Sequence, residues 1–152
     1  MPRLREDIHI HAPQRAVYEH LRALDRYERW LPRAFRDLRA DGETLDFTLA
    51  LALRSERGRL AVEVEEPPEY LELAGAPPAA DGGQPALETL AWYVSAEGPR
   101  EVHLIAEARY EPRGVVGAMF ELPLLRAQRR QVLRDMLWRL KHLVEGRGPD
   151  GA

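Results

Sequence analysis

From Glu43 to Tyr110 the chain repeats one pattern, and that pattern limits what it can fold into. "ETLDFTLALAL", Glu43 to Leu53, puts Leu45, Phe47, Leu49, Leu51 and Leu53 on one face. Asp46, Thr48, Ala50 and Ala52 fall on the other. "SERG" turns into "RLAVEVEE", with Leu60, Val62 and Val64 against Arg59, Glu63 and Glu65. "EYLELA" resumes after Pro67-Pro68 with Leu71 and Leu73. "LETLAWYVSA" contributes Leu90, Trp92 and Val94, and "EVHLIAEARY" contributes Val102, Leu104, Ala106 and Ala108. A period of two predicts strands with one dry and one wet face. Such strands build an antiparallel sheet whose apolar side must be covered.

One segment is long enough to cover it. From about Val115 to Glu145, Met119, Leu122, Leu125, Val132, Met136, Leu140 and Leu143 recur at helical spacing. Leu133, Leu137 and Val144 widen the stripe. Pro123 inside this run predicts a kink or a separate first turn. At the other end, Leu4, Ile8 and Ile10 read as a first strand, and Pro13 suits the opening of a helix. Val17, Leu21 and Leu24 continue at helical spacing. Asp25 with Glu28 predicts a capping box on a second, short helix, "DRYERWL", which Pro32 ends. Asp41-Gly42 predicts a hairpin with a strand near Phe35–Ala40 before it. The fold class is therefore α+β: a bent antiparallel sheet of six to seven strands gripping a long C-terminal helix, with two short helices after the first strand.

The chain has 152 residues, enough for one domain with a real core. Residues 1–146 are expected to form it, with 147–152, "RGPDGA", a disordered tail. "AGAPPAADGGQPA", Ala74 to Ala86, is a loop of turn formers. There is no cysteine, so disulfides and thiolate metal sites are excluded. No apolar run approaches ~20 residues and no signal peptide is visible, so the expected location is cytoplasmic. The net charge of −3 argues against nucleic acid as a partner.

In residues, both ends resemble a known superfamily. "IHIHAPQRAVYEHLRALDRYERWLP" is similar to the opening of the START-like, or SRPBCC, proteins. "ARYEPRGVVGAMFE" and "VLRDMLWRLKHLVE" resemble their closing strand and long helix. Bacterial members include polyketide cyclase/dehydrase and coenzyme-Q-binding proteins. The resemblance implies a helix-grip fold, with an apolar cavity between sheet and helix that takes lipids, quinones, sterols or polyketides. Only some members are enzymes, and fold alone does not fix a reaction.

Candidate residues fall into four sets. The first would line a cavity or form core: Phe47, Leu49 and Leu51; Leu71; Leu90 and Trp92; Trp30 after the short helix; and Met119, Phe120 and Met136 on the last helix. An opening is expected near Trp30 and the Pro123 kink, into a cavity of a few hundred Å³. The second set is polar. Glu66 shares the parity of Leu60, Val62 and Val64, Tyr110 shares that of Val102–Ala108, and His20 sits at the edge of the first helix's stripe. Each is a candidate for handling a proton. The third is His9 and His11, which alternate with Ile8 and Ile10 and so face solvent. His103 has outward parity on a strand expected beside the first. With no pocket there, no native metal ion is expected. The fourth is the basic face of the last helix: Arg126, Arg129, Arg130, Arg134, Arg139 and Lys141. It reads as a solvated outer face, with peripheral membrane contact as its functional reading.

The reading that follows is a binding or transport module for a hydrophobic small molecule, needing no cofactor. One alternative is a cyclase or dehydratase that uses a polar cavity residue. Another is a membrane- or ribonucleoprotein-associated protein acting through the basic helix. Neither the ligand nor the oligomeric state is written in the sequence.

Overall fold

The structure, a computed structural model, describes residues 3–51, 55–76, 87–110, 124 and 126–146. In chain order it contains β1 (Arg3–Ile10), α1 (Gln14–Arg22) and a 3-10 helix (Leu24–Arg29). Then come β2 (Phe35–Asp41), β3 (Thr44–Ala50), β4 (Ser55–Glu66), β5 (Tyr70–Ala76), β6 (Thr89–Gly98) and β7 (Glu101–Arg109). The last described element is α2 (Arg126–Val144). The expected start of the long helix, Pro123, Met119 and Phe120 lie outside the described residues, as do most of the Ala74–Ala86 loop and the tail.

The strands form one antiparallel sheet in the order β1-β7-β6-β5-β4-β3-β2. Alternation set the facing: along β3 the burial reads buried at Leu45, Phe47 and Leu49 and half-buried between them. Asp41-Gly42 makes the expected tight turn, with Gly42 at φ 62°, a conformation glycine adopts without strain. α1 and the 3-10 helix carry the chain from one sheet edge, β1, to the other, β2. Laid flat, six steps of about 4.8 Å would hold those edges roughly 29 Å apart. Yet Leu4 of β1 and Phe35 of β2 line the same narrow cleft against α2. The sheet therefore curls around the helix, as the helix-grip expectation requires.

The short helices pack by their apolar sides. Val17, Tyr18 and Leu21 of α1 are buried, as are Leu24 and Tyr27 of the 3-10 helix. The Tyr27 hydroxyl donates to the Leu21 carbonyl at 2.6 Å, and burial pushes its pKa far above the phenol range. The Asp25–Glu28 capping box does not form. Ala23 occupies the cap position without a side-chain bond, and Asp25 sits inside the first turn. "SERG" is also not a turn, because β4 already runs from Ser55. Among the described residues no helix is long and apolar enough to cross a membrane.

Candidate functional site

The buried stripe of α2 is Arg129, Leu133, Met136, Leu137 and Leu140. Arg129 stands four residues before Leu133 and seven before Met136, so helical spacing turns it inward with them. It is 6% exposed. Opposite it is Glu56, near the start of β4, 3% exposed and of one parity with Leu60. The pair is bidentate: Arg129 Nη1 donates to Glu56 Oε1 at 2.9 Å and Nη2 to Oε2 at 2.8 Å. The guanidinium also lies 4.4 Å from the centre of the Tyr110 ring, in cation–π contact. Tyr110 follows β7 and is 2% exposed.

These polar groups border an apolar cleft. Phe35, Leu49 and Glu56 form one row on the inner face, because Leu49 stands opposite Phe35 in one pairing and opposite Glu56 in the next. Leu4, Leu87, Leu90 and Ala108 close one wall, and Val132, Leu133 and Met136 of α2 close the other. The cleft measures about 30 Å³, room for a single water. With both terminal guanidinium nitrogens engaged by Glu56, the ion pair sets a polar edge on an otherwise apolar cleft, where a ligand's polar end could hydrogen-bond to the pair.

The candidate residues divide accordingly. Leu49, Leu90, Met136 and Tyr110 line the cleft. Phe47, Leu71, Trp30 and Trp92 are buried elsewhere in the core. The Trp30 ring lies 4.5 Å from Tyr27 and 6.0 Å from Trp92. Aromatic packing surrounds Trp30, while Pro123, the other side of the expected opening, lies outside the described residues. Leu51 is half-buried beyond the end of β3.

Glu66 needs a correction. A bulge between Val62 and Val64 adds one residue to β4 and reverses the facing of all that follows. Val64 then pairs with Glu72 and is 38% exposed, and Glu66 pairs with Tyr70 and faces solvent. Glu65 takes the inner parity instead, opposite Leu71, and accepts from Arg22 at the end of α1. His20 is half-buried on α1, away from the cleft. Burial and the neighbouring Arg26 and Arg29 lower its pKa, and its Nδ1 has no hydrogen-bond partner among the described residues.

The basic face of α2 is tied to the rest of the fold by hydrogen bonds. Arg134 bonds Glu6, Arg139 donates to the Trp30 carbonyl at 2.9 Å, and Lys141 donates to the His9 carbonyl at 2.6 Å. Arg129, read among those outer charges, is part of the interior. Glu56 is the site residue that the sequence reading leaves out, and Arg129 is the one it places on the wrong face. Spacing from Leu133 and parity with Leu60 were the signals that marked them.

No family model and no curated protein sequence matches the chain. Solved structures do. It is similar to the Zhui aromatase/cyclase from Streptomyces sp. R1128, at 13% identity and TM-score 0.72 over 96% of this chain and 94% of that one. TTHA0849 from Thermus thermophilus superposes with TM-score 0.73 at 16% identity, over 94% and 97%. Aha1 from Colwellia psychrerythraea, solved as a dimer, gives 0.64 at 14%, over 97% and 99%. The chain has the helix-grip fold expected from its sequence.

Proposed function

We propose that the protein binds a hydrophobic small molecule carrying one polar or anionic end, such as a fatty acid, quinone or polyketide-like chain. The observation that carries this reading is the buried Arg129–Glu56 pair beside Tyr110 at the border of an apolar cleft. Taking two charges out of water costs several kcal/mol per ion, and hydrophobic replacements of similar volume often serve stability as well or better. A ligand-orienting role gives such a pair a purpose, since binding sites are typically apolar with a few placed polar groups. At about 30 Å³ the cleft must open to admit a ligand, so its walls have to part.

The test is uptake of a fluorescent fatty acid and of a quinone analogue. Saturable binding at one ligand per chain is expected, weakened at least tenfold by Leu49→Trp with the circular dichroism unchanged. Absence of uptake across a panel of lipids, quinones and polyketides sinks the proposal. The enzyme reading gains from Tyr110 lying against the guanidinium, where a developing enolate oxygen would be stabilised. Turnover of a poly-β-ketone chain, lost in Tyr110→Phe, would favour it over simple binding.

A further inference from the structure

A second cluster occupies the outer face of the sheet, away from the cleft. In the β1–β7 ladder His9 stands directly opposite His103. Their imidazoles stack 4.6 Å apart, 8° from parallel. Each is held by a carboxylate: His9 Nδ1 is 2.9 Å from Glu97 Oε1, and His103 Nε2 is 2.7 Å from Asp7 Oδ2. Asp7 shares the outer parity of His9, two residues away on β1. Glu97 is the extra residue of a bulge between Ala96 and Gly98 in β6. One ligand atom from each of Asp7, His9 and His103 lies within 4.8 Å of the others.

We propose that Asp7, His9 and His103 form a binding site for one divalent transition-metal ion of the zinc type, with Glu97 orienting His9. This goes against the expectation of no native metal ion, which rests on solvent facing and the lack of a pocket around His9, His11 and His103. His11 stays outside the cluster, and its backbone N–H is tied to Glu145. Two imidazoles and a carboxylate suit zinc, copper or nickel. Magnesium and calcium prefer all-oxygen sets. Zinc ligands stand at about 2.0–2.2 Å from the metal, so ligand atoms in a tetrahedral site are roughly 3.3 Å apart. Closing the present spacing takes side-chain rotation alone. The ladder already fixes the two histidine backbones, and the His9 and Asp7 side chains are 63% and 57% exposed, with solvent space to turn in once the imidazole stack opens. His103, at 28%, is the anchored member. A carboxylate on an imidazole nitrogen is the arrangement that orients histidine ligands in metal sites. Without a metal function, the same four side chains are two exposed hydrogen-bonded pairs worth about 0–1 kcal/mol each. The bound ion would staple the edge strand β1 to β7 across the solvent side.

The test uses untagged, chelator-treated protein titrated with zinc against a chromophoric chelator. Cobalt absorption reports the coordination, and thermal unfolding is followed in parallel. One ion per chain is expected, with a Tm that rises as zinc is added. Affinity should fall at least tenfold in His9→Ala and in His103→Ala, and stay within twofold in His11→Ala. Excess magnesium should not displace the ion. Substoichiometric binding, or stoichiometric binding that survives loss of both His9 and His103, overturns the site. So does an equal loss in His11→Ala. The variants lie on the solvent face, and unchanged circular dichroism confirms that each is folded.

Discussion

Arg129 of α2 and Glu56 of β4 meet through two parallel hydrogen bonds, with side chains only 5% and 4% exposed. The pair joins the helix to the sheet by charge in a place otherwise joined by apolar contact. Arg129→Met takes the guanidinium away from a buried carboxylate, and urea denaturation should show a loss of about 3 kcal/mol. The double variant Arg129→Met, Glu56→Leu should recover most of it and come within about 1 kcal/mol of the parent. A double variant as unstable as the single would show that volume, not charge, is what the pair supplies.

His20 should make the protein acid-sensitive. Burial, then Arg26 and Arg29, lower its pKa from the ordinary value of 6.5. In the unfolded chain it takes a proton near that value, while the folded chain resists. Stability is therefore full above about pH 7 and is lost as pH falls through 6.5 toward the lowered folded value. His20→Gln should flatten this part of the urea-midpoint profile. Identical slopes for parent and variant would remove His20 as the cause.

The three tryptophans should behave as two classes. Trp30 and Trp92 are fully buried and Trp138 is 54% exposed, against the His142 ring. Iodide should quench the Trp138 fraction of the emission alone, and Trp138→Phe should abolish quenching. Trp138→Ala should shift stability by no more than about 0.5 kcal/mol. Trp30→Ala, emptying the space between Tyr27 and Trp92, should cost about 3–5 kcal/mol.

Two glycines should fail for different reasons when replaced by alanine. A Cβ on Gly75 would lie 1.5 Å from the Leu87 carbonyl oxygen, a backbone atom that cannot step aside cheaply. Gly75→Ala should cost about 3 kcal/mol or more. Gly42 has open space around it but φ at 62°, so Gly42→Ala should cost about 1 kcal/mol from conformation alone. Equal losses at the two positions would contradict the close approach at Gly75.

Period and parity carried the sheet, its facing and the gripping helix, because burial repeats with backbone geometry. They failed where one residue was added without a sign. Nothing in "VEVEE" marks the bulge after Val62, so Glu66 was placed inside and Glu65 outside. They were also set aside where residue type outweighed spacing. Arg129 sits in the stripe of Leu133, Met136 and Leu140, but arginine is rarely so buried without a partner, and that partner is 73 residues away in sequence. Glu56 was hidden for the same reason, inside a tetrapeptide that reads as a turn. The pairing of His9 with His103 needed the ladder register, which parity leaves undetermined by any even number of residues.

The sheet order has one more consequence, and it concerns time. Among the described residues β1 finds a strand partner only in β7, with Arg3 opposite Arg109. On a ribosome moving at about 5–20 residues per second, the first strand waits roughly 5–20 s before its mate is made. For that interval its hydrogen-bonding edges and its Leu4–Ile8–Ile10 face have no native sheet to join. The nascent chain must keep its first strand from pairing wrongly until the last described strand has emerged, and a messenger cut short before Glu101 leaves that strand without its mate.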